Sequence, residues 1–117
     1  MDLNAAVAKH AEWKVKFRAA IGKKEQLNAG DIGRDTTCDL GRWLHGAGRA
    51  QHGSLESYQN CLKHHAAFHV QAGRVAQNIN AGRYEEAEKQ LGAAAAFSQA
   101  SNDVALAIRQ LKKDAAL

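Results

Sequence analysis

The sequence predicts an all-α domain, an antiparallel helical bundle of three long helices and one short helix, four-helix-bundle-like in layout. Two observations carry that prediction. None of the 117 residues is proline, so nothing removes a backbone donor or forces a kink inside a helix. Apolar residues also recur in steps of three and four along separate stretches, the period of a single helix face. The length suits one compact domain over residues 1–117 and is short for two ordinary ones.

The first stripe passes through Leu3, Ala6, Val7, His10, Trp13, Phe17 and Ile21, which predicts a helix over about residues 2 to 25. Residues 28–37 hold two glycines, two aspartates and two threonines without helical period. They read as a loop crossing between helices. Asp39 to His45 predict the short helix, and Gly46-Ala47-Gly48 its stop, since glycine readily supplies a left-handed helix end. A second stripe, Leu55, Tyr58, Leu62, His65, His69, Ala72, Ala76 and Ile79, predicts a helix over about residues 52 to 80. After a turn at Asn80-Ala81-Gly82, a third runs from Tyr84 through Ala87, Leu91, Phe97, Val104, Ile108 and Leu111 to near Lys113. The four alanines at 93–96 are expected where two helices approach closely.

Several function classes are disfavoured. No segment approaches the roughly 18 to 20 apolar residues of a membrane span, and Met1-Asp2-Leu3-Asn4 lacks the basic and apolar regions of a secretory signal. The expectation is a cytoplasmic chain without membrane insertion. The net charge is +4, but the basic residues are interspersed with acids and form no aromatic-interleaved run. They read as solvated helix faces, with no nucleic-acid partner.

His65 and His69 stand four apart, so one helix face carries both and they can converge on one ion. Both lie on an apolar stripe, where an imidazole without a partner loses its water hydrogen bonds uncompensated. His10 occupies the same kind of position on the first stripe. A lone histidine there is more often a satisfied core residue than a ligand, but a single Zn2+ satisfies all three together. A thiolate from Cys38 completes a tetrahedral shell and leaves no open position for a water nucleophile. Cys61, one turn before His65, is the rival sulfur, and spacing alone slightly favours it. Delivery from a loop favours Cys38.

The segments His10-Ala-Glu-Trp13-Lys14, Cys38-Asp-Leu-Gly41-Arg42-Trp43-Leu44 and His65-Ala-Ala-Phe68-His69 resemble the chemoreceptor zinc-binding family. The resemblance extends from the first helix into the last. It implies a zinc site of His10, Cys38, His65 and His69, favouring Cys38 over Cys61 as the sulfur ligand. It further implies a cytoplasmic, often dimeric module attached to chemotaxis receptors or diguanylate cyclases, whose output domain is absent from this chain.

Around the site, Trp13, Trp43 and Phe68 are expected to form a dry wall. Asp39 is expected either to cap the short helix or to bond a ligating imidazole. Gly41 is expected to permit a close approach, Tyr58 to lie in the core with its hydroxyl near a bundle end, and Cys61 to be a buried hydrophobe. His45, His52 and His64 are expected to face solvent.

The expected function is sensory rather than enzymatic, with Cys38 as a redox switch. The family resemblance points to hypochlorous acid as the oxidant. The alternatives are a sensor of free zinc and a purely structural, zinc-stapled dimerisation module.

Overall fold

The computed structural model describes residues 1–117, which form eight helices and no strand. The first stripe becomes α1 (Leu3–Ala11) and α2 (Trp13–Lys23), separated only by Glu12, which keeps helical dihedrals. Backbone bonds from Glu12 to Ala8 and from Lys16 to Glu12 carry the ladder across, so the pair acts as one rod. Asp2 caps its start by accepting from Ala5 N, and Lys24 ends it in the left-handed conformation. The central helix, α6 (Glu56–Asn80), buries Cys61, His65, Phe68, Ala72, Val75, Ala76 and Ile79. No helix is long and apolar enough to cross a membrane.

The last predicted helix is two helices, α7 (Tyr84–Gln90) and α8 (Ala96–Asp114). On one continuous helix, Leu91 and Phe97 would point about 120° apart. Both are buried, and the chain turns between them. It does so at Gly92, which favours a break, while Ala95 adopts extended dihedrals. Ala93 and Ala94 in this turn and Ala96 at the start of α8 lie exposed and mark no close helix approach. Phe97 thereby joins Phe17 and Phe68 at centroid distances of 5.6 and 5.5 Å.

Chain direction explains the rest. Phe68 pairs with Phe97, while Ser57 shares a groove with Gln110, so α8 runs antiparallel to α6. It also runs antiparallel to the α1–α2 rod, since Asn4 lies near Lys112, and Lys14 near Ser98. The rod and α6 therefore run in the same direction, and their ends meet where Leu27 N donates to Asn80 Oδ1 at 2.7 Å. Parallel neighbours need a long crossover. Residues 24–55 supply it, carrying α3 (Ala29–Ile32), α4 (Asp39–Leu44) and α5 (Ala47–His52).

Two of these short helices differ from expectation. One turn, α3, sits in the predicted loop and is too short to show a period; Asn28 caps it through Asp31 N. The predicted stop at residues 46–48 is a bend at Gly46 alone, after which α5 resumes. Gly48 instead makes room for Trp43, whose ring would lie 2.9 Å from a Cβ at that position. Tyr58, buried in the core, donates its hydroxyl proton to Leu44 O at 2.6 Å and ties α4 to the start of α6.

Candidate metal centre

Three elements converge at mid-bundle. Cys38 is the N-cap of α4, its Sγ accepting from Gly41 N at 3.3 Å. The preceding turn folds so tightly over α4 that a Cβ on Gly41 would collide with the carbonyl oxygen of Asp35. Only glycine leaves room for that turn, which aims the sulfur inward. From there Sγ lies 3.2 Å from His65 Nε2, 3.6 Å from His69 Nε2 and 3.9 Å from His10 Nε2. His65 Nε2 is 3.2 Å from His10 Nε2 and 3.0 Å from His69 Nε2. The four donor atoms all lie within 4.8 Å of one another.

This donor set fits a four-coordinate ion. Tetrahedral bonds of about 2.0–2.1 Å to nitrogen and about 2.3 Å to sulfur place nitrogen pairs about 3.3 Å apart and nitrogen–sulfur pairs about 3.5 Å apart. The nitrogen pairs at 3.0 and 3.2 Å fall slightly inside the first value, and the nitrogen–sulfur separations of 3.2 to 3.9 Å bracket the second. Hydrogen bonding points the same way. His10 Nδ1 lies 2.7 Å from Ala6 O and His69 Nδ1 lies 2.8 Å from Ile32 O. A carbonyl only accepts, so each Nδ1 carries the proton and each Nε2 presents a lone pair to the cluster. Converging lone pairs in a buried site repel unless a cation or shared protons lie between them.

The electrostatics keep these donors ready. Burial pushes His65 down to about 2, with His69 and His10 adding to the effect. Burial likewise lowers His10 and His69, so all three are neutral at physiological pH. Burial raises the Cys38 thiol, partly offset by the Gly41 and Leu40 amides. A cation at the centre reverses that balance by stabilising the thiolate.

The remaining expected residues divide. Phe68 packs against His10 and His69 at 5.2 and 5.4 Å, and Trp13 shares with His10 and Cys38 a surface cleft of about 350 Å³. Trp43 instead packs over Gly48 and beside His52, because the bend at Gly46 brings α5 under its ring. Asp39 neither caps α4, a role held by Cys38, nor meets an imidazole. It is exposed and bonds Lys9 Nζ at 3.0 Å and Arg42 Nη2 at 2.7 Å, strapping α4 to α1. Cys61 is fully buried outside the four-donor group, its thiol pushed up to about 12 by burial.

His45 is exposed and lies 3.3 Å from Asp35 Oδ2. His52 and His64 are half-buried rather than solvent-facing, and His52 Nε2 is enclosed without a partner. The roles of the Ala6 and Ile32 carbonyls are invisible in the sequence, since a backbone acceptor leaves no mark on it.

A helical bundle with three imidazoles and one thiol converging at its centre defines a metal-binding helical domain. The sequence model of the chemoreceptor zinc-binding domain matches residues 10–76, more than half of the chain. The chain belongs to that family and is a zinc-binding domain. No curated protein and no solved structure matches it.

Proposed function

We propose that residues 1–117 form a single sensory domain in which His10, Cys38, His65 and His69 hold Zn2+, with Cys38 as a redox-responsive ligand. The observation that carries this reading is an asymmetry among the donors. The three histidines are buried on α1 and α6, whereas Cys38 is half-buried, borne by the crossover, and borders the cleft beside Trp13. Bound zinc supplies the positive charge that keeps the sulfur a thiolate at neutral pH.

The thiolate is the form that oxidants attack. With hypochlorous acid, Cys38 sulfur gives an electron pair to the oxidant, gains the oxygen as sulfenic acid and releases chloride. Sulfur is oxidised by two electrons and hypochlorous acid is reduced by two. The weakened sulfur contact frees α4, while the imidazoles stay on their helices. Four protein donors leave no open coordination position, which supports a regulatory rather than an enzymatic role.

Family resemblance further supports a cytoplasmic setting, a homodimer and an output domain from a chemotaxis receptor or diguanylate cyclase. Solvent-exposed Val15 and Leu106 are consistent with a protein contact. Light scattering at tens of micromolar tests the dimer, and a monomer mass would count against it. Elemental analysis of the purified chain before and after stoichiometric hypochlorous acid, with trapping of sulfenate, tests the switch. About one zinc per chain and labelling at Cys38 are expected; no metal in the untreated chain would end the reading.

A further inference from the structure

We propose that the contact between Gly33 and Gly73 is a positioning device for the metal centre, letting the last carbonyl of α3 fix the orientation of His69. The proposal rests on the reading of His69 as a zinc ligand.

At the end of α3, the carbonyl of Ala29 accepts from Gly33 N, and that of Asp31 accepts from Arg34 N and Thr37 Oγ1. Ile32 O is the acceptor that meets His69 Nδ1, at 2.8 Å. It reaches that far because α3 lies directly on α6. Gly73 follows His69 by one helical turn, on the same face. A Cβ there would stand 2.9 Å from Gly33 Cα and 3.5 Å from Gly33 N. Those are backbone atoms, which cannot rotate aside.

Nor can α3 slide along the helix to escape. At its entry, Leu27 is held through both N and O by Asn80, at 2.7 and 2.8 Å, and Asn28 caps the turn through Asp31 N. A methyl group on Gly73 therefore lifts the exit of α3 and draws Ile32 O away from the imidazole.

His69 is distinctive in this dependence. His10 Nδ1 uses Ala6 O in its own helix, and His65 Nδ1 has no partner. His69 alone takes its orientation from a segment 37 residues away in the chain. Outer hydrogen bonds of this kind set the tautomer and direction of a ligating imidazole.

The test uses the zinc-loaded full chain and three variants, Gly73→Ala, Gly33→Ala and Asn28→Ala. A Cβ on Gly33 would meet Gly73 Cα at an ordinary 3.7 Å, with only Ala29 O nearer at 3.2 Å, so G33A controls for an added methyl. Zinc affinity is measured by chelator competition, and solvent exchange of the His69 Hδ1 proton by histidine-selective NMR. G73A is expected to weaken zinc binding by about 10- to 100-fold and to speed Hδ1 exchange. G33A is expected to stay near the wild type. N28A, which loosens the same seat without touching α6, is expected to move both readouts in the direction of G73A and remains informative if G73A fails to fold.

Unchanged affinity and unchanged Hδ1 protection in G73A and N28A would overturn the proposal, as would weakened binding with protection retained. A wild-type chain that takes up no zinc would instead overturn the ligand reading. Protection of Hδ1 in that metal-free chain would still report whether the glycine contact seats the carbonyl.

Discussion

His65 Nε2 and Cys38 Sγ, 27 residues apart in the chain, stand 3.2 Å from each other at the centre of the bundle. The imidazole is fully buried and its Nδ1 is unpartnered, so its polar requirement falls on what Nε2 meets. The first expected outcome follows. His65→Ala should reduce bound zinc from about one per chain to a small fraction after dialysis, because three donors remain and water enters the fourth position. Elemental analysis with protein quantification checks it, and full retention of zinc would remove His65 from the donor set.

Zinc uptake should release about one proton at pH 7, since the Cys38 thiol is raised above its ordinary 9.0 and must ionise to bind. Affinity should accordingly rise about tenfold per pH unit near neutrality. Calorimetry in buffers of different ionisation enthalpy counts the proton.

The histidines make the metal-free fold sensitive to acid in the same direction. Their folded values lie below the ordinary 6.5, so unfolded imidazoles take up protons that the buried ones refuse. Stability of the metal-free fold should be fully present above about pH 6.5 and fall progressively below it. Urea unfolding between pH 7.5 and 5 reads the sign; a midpoint that rises on acidification would contradict it.

Hypochlorous acid should modify Cys38 in preference to Cys61. The first borders the cleft and becomes a thiolate beside a metal, while the second is wholly buried with its thiol pushed to about 12. Cys38→Ser should abolish sulfenate trapping and weaken zinc binding, and Cys61→Ser should leave both nearly intact. Labelling of Cys61 with Cys38 spared would defeat the switch.

Gly41→Ala should lower both stability and zinc affinity. The new methyl cannot coexist with the Asp35 carbonyl, and relieving that overlap displaces the turn holding Cys38, at a cost of roughly 1–3 kcal/mol. Urea midpoints and chelator competition on the same preparation check the two effects, which should appear together.

The sequence made the rods legible because each buries a regular stripe: α1, α2 and α6 lie within the predicted spans, and His65 and His69 share a face through spacing alone. The break at residues 91–95 was not legible. Four alanines favour helix locally, and a single glycine at position 92 together with the joint burial of Leu91 and Phe97 overrides them. Within the crossover, Cys38 could be preferred to Cys61 by its loop setting and by the family motif, whereas α3 and α5 are too short to leave a period. Trp43 and Asp39 read as neighbours of the site because they are close in sequence to Cys38. The geometry of α4 and the bend at Gly46 turn them toward α5 and Lys9.

The crossover also sets the topology of the cross-link that an ion shared by the four donors would make. Such an ion closes one loop of 28 residues between His10 and Cys38 and a second of 27 between Cys38 and His65. Detaching His10 opens the first loop and unties α1 from α6. Detaching Cys38 instead fuses the two into a single closed loop of 55 residues, with its ends on α1 and α6 still joined through His10 and His65. Because closure entropy grows only with the logarithm of loop length, that larger ring is little harder to keep shut than either small one. Loss of the sulfur would therefore give slack to the crossover beyond α3, which Asn80 and His69 keep on α6, while leaving the long helices tied, and so confine the change to α4 and α5.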